Sequence, residues 1–247
     1  MPNKTKNTLF FSIGIILIGV LIQILGKAKG DPLVFPGILE ILKAFFNLLK
    51  TPETYRLILT TFWHLFVALI FSTVLGVAIG MAEGLSNCVR QIFKPLMIML
   101  RSIPMIVLVV IIMVLTKYPK VPYIAASLVL IPMISEATCE GCIRIDRDLI
   151  DVYRLNSNFS LRILLTVYLP LMAGYLKQAF INAVGTGIKI IVTTEYLVQS
   201  KNSLGKAVYS SAYFNEYEEI YAYALIMVIL VLLVSGLPLL FVKKAKS

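Results

Sequence analysis

In this 247-residue chain the side chains able to do chemistry are few, and most of them sit inside apolar runs. Arg101 lies in the run 92–115, Lys177, Lys189 and Glu195 in the run 171–198, and the single histidine, His64, in the run 57–82. A charge at the centre of a membrane helix costs roughly 2.5–3.5 kcal/mol, so each of these groups needs a partner, a wet cavity or a place near the headgroups. Arg101 and Lys177 are close to run ends, where a long stem can carry the charge to the interface. Lys189 and Glu195 lie deeper. Six residues turn a helix by about 600°, which leaves the two about 120° apart and unable to pair along one face. Two readings fit Glu195 with Thr193 and Thr194: the lining of a polar path, or a structural link to a neighbouring helix.

Other chemistry lacks its parts. Cys139 and Cys142 form C-x-x-C, yet no second cysteine pair or histidine cluster completes a zinc site, so the pair reads as small packing residues at a run end. His64 has no triad or metal companions in the sequence, which points to a polar contact rather than catalysis. There is no G-x-x-x-x-G-K-[ST] loop, so the chain does not bind ATP by that route. No catalytic residue, metal ligand or cofactor is assigned, and the chain reads as a non-enzyme.

The elements that must hold these residues follow from composition. Hydrophobic residues make up 59% of the chain and charged ones 15%, against about 25% charged in a soluble domain. That excess of apolar residues is more than one globule of this length hides, so the main solvent is lipid. Disorder and a disulfide scaffold are excluded by the apolar fraction and by three cysteines in so long a chain. The net charge of +10 does not imply nucleic acid, because the positive residues fall between apolar runs and form no stripe. A bilayer core needs roughly 20 apolar residues in helical form. Six runs qualify, at about 9–25, 57–82, 92–115, 121–138, 171–198 and 220–242, which predicts an all-α integral membrane protein of six spans in one domain, 1–247. Lys4 and Lys6 precede the first run as in a signal peptide, but the run is long for one and no A-x-A-like site follows. Residues about 36–50 place Ile38, Ile41, Leu42 and Phe45 opposite Glu40, Lys43 and Lys50, the pattern of a helix lying on the membrane surface. In the second run Ser72, Gly76, Gly80 and Gly84 recur every four residues and let another helix approach closely.

The polar interval 139–170 places Ile143, Ile145, Leu149, Ile150 and Tyr153 at helical spacing among charges, breaks at Asn156-Ser157-Asn158, and ends in Leu169-Pro170. A structureless loop of that length is unusual, so two short helices that dock a soluble partner are expected. The interval resembles the EAA loop (E-A-A, three residues, Gly, then a downstream L-P) of the membrane subunits of type I ABC importers. Aligned back from Leu169-Pro170, Asp151-Val152-Tyr153 takes the E-A-A place and Ser157 the glycine. Asn156 or Asn158 can supply the left-handed turn, and Ser157 or Ser160 can cap the second helix. Similarity to permeases of the nitrate, sulfonate and taurine group, which also includes thiamine- and riboflavin-related importers, extends over nearly the whole chain. It rests on Val34-Phe35-Pro36, the glycine row, Leu100-Arg101-Ser102-Ile103-Pro104, Ile145-Asp146-Arg147-Asp148-Leu149, Val192-Thr193-Thr194-Glu195 and Ser203-Leu204-Gly205.

The resemblance implies a permease subunit of an importer in a bacterial cell membrane, with both termini cytoplasmic and ATP and Mg carried by separate ABC ATPase subunits. It further implies an external substrate-binding protein and a second permease copy, identical or paralogous. Contact with the ATPase would fall on Arg147, Asp148, Asp151, Val152, Tyr153, Arg154, Ser157, Arg162, Leu169 and Pro170. The candidate path is Arg101, Lys189, Thr193, Thr194 and Glu195. Under that orientation 11 Lys and Arg lie inside and 9 outside, so charge bias alone decides little. Cargo stays open between a sulfonate- or nitrate-like anion, which Lys189 would suit, and a vitamin precursor, which the many aromatic residues would suit. The alternative is an ion-coupled secondary transporter that uses Lys189 and Glu195.

Overall fold

A computed structural model describes residues 13–14, 36–146, 148 and 163–244, and all the regular elements among them are helical. Helix α1, Ile38–Lys50, starts where Glu40 reaches back to accept the Gly37 N–H at 2.8 Å. Helix α2, Pro52–Leu85, has proline at its first turn and 34 residues, about 51 Å at 1.5 Å each, which exceeds the roughly 30 Å hydrocarbon thickness. One side of α2 exposes Leu59, Trp63, Phe66, Ile70 and Val74, and the other buries the row Ser72, Gly76, Gly80. That row meets helix α5, Val121–Ile143. A Cβ on Gly76 would lie 2.8 Å from Ile134 Cβ, one on Gly80 would strike the Ser135 carbonyl, and one on Gly84 would lie 2.5 Å from Cys142 Cβ. The small residues therefore serve packing within one subunit, and the rising numbers on both sides show that α2 and α5 run parallel.

Parallel neighbours need a return crossing between them. Helices α3, Asn87–Ser102, and α4, Met105–Leu115, provide it, bent by 102° where one continuous span over 92–115 is expected. Pro104 supplies no N–H and holds Ile103 in extended backbone at φ −68°, ψ 125°, so the helix stops there. Arg101 meets α5 at Pro132, whereas Leu108, Val109 and Ile112 pack on Val121 and Ala125 near its start. The bent pair thus travels the length of α5 rather than dipping in and out.

Helix α6, Ala173–Val198, runs antiparallel to both: Gly187 packs on Leu65 of α2 and Leu130 of α5, while Tyr175 packs on Gly141. It is entered through an elbow, a π-helical turn over Leu164–Tyr168 and the short helix Leu169–Leu171, bent 70° to α6. After α6, Gln199 adopts the left-handed region (φ 50°), and the Ser200 N–H returns to the Glu195 carbonyl at 3.0 Å, which reverses the chain. Helix α7, Leu204–Tyr213, follows, capped by Ser203, and helix α8, Tyr217–Lys244, completes the described chain. Three of these helices are long and apolar enough to cross a membrane, or five crossings if each bent pair counts as one. The run 9–25 lies outside the described residues except for Ile13 and Gly14, so a sixth span is not among them.

Candidate functional site

At the end of α6 the carboxylate of Glu195 is fully buried, at 0% exposure. Thr61 donates its hydroxyl to Oε2 at 2.9 Å and Gly205 donates its N–H to the same oxygen at 3.1 Å. His64 Nδ1 stands 2.6 Å from Oε1, and its ring meets the edge of Tyr123 with centroids 4.7 Å apart. Thr61 in turn accepts the Leu204 N–H at 2.9 Å. Glycine is required at 205, because a Cβ there would strike Glu195 Cβ and lie 2.5 Å from the Val192 carbonyl and 2.6 Å from the Tyr196 nitrogen. One carboxylate thus joins α2, α6 and α7. Of the two readings of Glu195, the geometry takes the link. Thr194 also faces the core, bonding the Ile190 carbonyl of its own helix at 2.7 Å.

Lys189 and Thr193 turn the other way. Both are exposed, along with Gln178 and Asn182, whose amides pair at 3.1 Å. Lys189 makes no ion pair among the described residues and does not meet Glu195, so the geometry does not support the two acting jointly in ion coupling. Lys177 is half-buried near the start of α6.

A second polar cluster lies between α3 and α5, in a cleft of about 380 Å³ lined by Glu83, Arg90, Lys94, Arg101, Glu136 and Glu140 among others. Arg101 donates to the Pro132 carbonyl at 2.8 Å and pairs with Glu136, the two side chains being 38% and 56% exposed. Glu83 is buried and accepts the Ser135 hydroxyl at 2.8 Å. Arg101 is therefore anchored to a neighbouring helix rather than reaching out to the headgroups. Sequence reasoning missed Glu136 and Glu83. An acid one helical turn beyond Pro132, in the run adjacent to a stray arginine, was the available signal. Exposure limits the pair's worth: a double-mutant cycle of Arg101→Gln with Glu136→Gln, read by thermal unfolding in detergent, is expected to give a coupling of about 0.2–1 kcal/mol. Full additivity of the two changes would mean that the pair contributes nothing.

Cys139 and Cys142 are buried, unpaired and packed at the α2–α5 contact. Among the described residues no group of three or more His, Cys, Asp or Glu could hold a metal ion. Of the expected ATPase contacts, Arg147, Asp151, Val152, Tyr153, Arg154, Ser157 and Arg162 lie outside the described residues. Asp148 is exposed, with its N–H bonded to Asp146 Oδ1 at 3.1 Å, and Leu169 and Pro170 form part of the elbow. The elbow is locked to three helices at once: Val167, Tyr168 and Met172 share a core with Met81 of α2 and with Cys142 and Ile145 at the end of α5, and Leu176 of α6 packs against it.

Residues 72–245 match the family described as binding-protein-dependent transport system inner membrane component. The fold is similar to a chain in inward-facing structures of the MetNI methionine ABC transporter, with a TM-score of 0.69 and 20% sequence identity over 78% of this chain and 98% of that one. It is the fold of a type I ABC importer permease. No curated protein matches the sequence.

Proposed function

From the premise that this chain belongs to the binding-protein-dependent transport inner membrane components, we propose that it forms half of the translocation path of an ABC importer. A second permease, the same chain or a paralogue, forms the other half. Two ABC ATPases, which carry the ATP and Mg, dock on the segment from Arg147 to Arg162, and an external binding protein delivers a small solute. The chain itself hydrolyses nothing. It sits in a bacterial cell membrane with both termini on the ATPase side, and its cargo is a sulfonate- or nitrate-like anion or a vitamin precursor. Lys189 and Thr193 line the path. The Glu195 network is the fixed frame behind them.

The observation that carries this reading is the elbow. A docking segment moves a membrane domain only if its ends are mechanically continuous with the spans, and Val167, Tyr168 and Met172 tie the end of the interval to α2, α5 and α6 together. Interiors packed this densely transmit displacement rather than absorb it. Purification of the tagged chain from its native membrane, with and without Asp151→Arg, tests the proposal. The unchanged chain is expected to bring down an ATPase and to support ATP-driven uptake. Asp151→Arg should reach the membrane in normal amount but lose the ATPase and reduce uptake at least about 100-fold, because like-charge or unpaired contacts at a buried interface cost several kcal/mol. Uptake that persists with unaltered ATPase coupling would remove Asp151 from the docking surface.

A further inference from the structure

We propose that the uncovered face of α6 is a binding track for a small anion, with Lys189 as the group that selects the sign of the charge. This rests on the permease reading and narrows its cargo to anions. The subunit supplies its own contrast. Uncovered faces of two other membrane-length helices are apolar, with Trp63, Phe66 and Ile70 on α2 and Val228, Ile229 and Leu232 on α8, whereas α5 exposes the acids Glu136 and Glu140 beside Arg101. The uncovered face of α6 instead presents Gln178, Asn182, Lys189 and Thr193. These positions are four, seven and four residues apart, so at 100° per residue all four fall within about 60° of one another, along about 22 Å of helix. A stripe of that length spans most of a hydrocarbon core, and lipid is a poor solvent for it. The face therefore borders water and a second subunit.

The sign follows from what the stripe lacks. Glu195 is the sole acid in α6, and it is buried on the opposite side with its oxygens engaged by Thr61, Gly205 and His64. Gln178 bonds to the carbonyl oxygen of Asn182, which leaves the Asn182 amide donors unused by that contact. Lys189 has no ion pair among the described residues. What faces the path is one unneutralised cation flanked by hydroxyl and amide donors, the chemistry that holds a sulfonate, nitrate or carboxylate group and repels a cation. A second identical subunit would place another Lys189 across the path.

The test needs no knowledge of the cargo. In the full chain with Cys88→Ser, whose other two cysteines are buried, Asn182→Cys is reacted in membranes with two water-soluble probes. One is the anionic 2-sulfonatoethyl methanethiosulfonate, the other the cationic 2-(trimethylammonium)ethyl methanethiosulfonate. The ratio of anionic to cationic rates, relative to a free thiol in solution, is expected to be raised about tenfold by the lysine about 10 Å along the stripe. Lys189→Gln should return the ratio to the free-thiol value, and Lys189→Arg should keep it. A ratio indifferent to Lys189→Gln overturns the proposal. So does a cysteine reached only by membrane-permeant maleimide, which would place the face in lipid. Thr193→Cys provides a second reporter if Asn182→Cys does not accumulate. Loss of the ATPase from the purified chain would defeat the importer reading without altering these rates, so the two failures are distinguishable.

Discussion

Replacing Glu195 with alanine is expected to destabilise the subunit by about 3–5 kcal/mol, the cost typical of removing one member of a buried ionic network. The change strands the Thr61 hydroxyl, the Gly205 N–H and His64 Nδ1 in a buried site, and each orphaned group carries about 1–3 kcal/mol of lost solvation. Glu195→Gln should fall between the two, since its single oxygen can satisfy only part of the set. Thr61→Val should cost about 1–2 kcal/mol, as it leaves the Leu204 N–H without its acceptor and removes one of the two donors to Glu195 Oε2. Thermal unfolding of the purified chain in detergent measures all three. A Glu195→Ala protein of ordinary stability that fails only in transport would move Glu195 back to the path and undo its assignment as a link. The same result bears on Ser203-Leu204-Gly205, which this carboxylate helps to hold against α6 alongside the Tyr196–Tyr209 ring contact.

Gly80→Leu is expected to have an effect at least as large. A Cβ at this position already strikes the Ser135 carbonyl and lies 2.6 Å from Thr138 Cβ, and both obstacles belong to a helix that cannot turn aside like the end of a flexible side chain. The helices must separate, which undoes the Gly76–Ile134 and Gly84–Cys142 contacts on either side. Close packing is the main attraction between helices in lipid, where apolar surface gains nothing by leaving one oily neighbour for another. Overpacking a well-filled core costs about 1–3 kcal/mol and more when backbone blocks the way, so a loss above about 3 kcal/mol is anticipated. Gly174→Ala provides the control: nothing lies within 4 Å of its Cβ, and no loss of stability is expected. Equal folded yields of Gly80→Leu and Gly174→Ala on size-exclusion chromatography would show that the α2–α5 seam is looser than its distances indicate.

Run length and hydropathy by themselves determined that this is an all-helical membrane protein, because in lipid every backbone N–H and C=O must be satisfied within the segment and a helix does this locally. They also placed a helix at Ile38–Lys50 and the close-packing row from Ser72 to Gly84. The order of short motifs pointed to the transport family before any contact was known. What the chain could not reveal was direction around each helix. A run that is apolar on all sides has no moment to say which face meets a neighbour, so Lys189 and Glu195, six residues apart, looked alike as buried charges until α2 and α7 were seen to enclose one and leave the other open. Partners far apart in sequence were equally hidden: Glu195 finds His64 across 131 positions, and Arg101 finds Glu136 on a different helix. The break at Ile103-Pro104 was written in the proline, but that the two halves still make one crossing follows only from α2 and α5 running parallel. Local conformation is a property of neighbouring residues, whereas the pairing of charges is settled by which helices pack and in what register, and that is decided by contacts such as Gly80 on Ser135 that exist only in the folded chain.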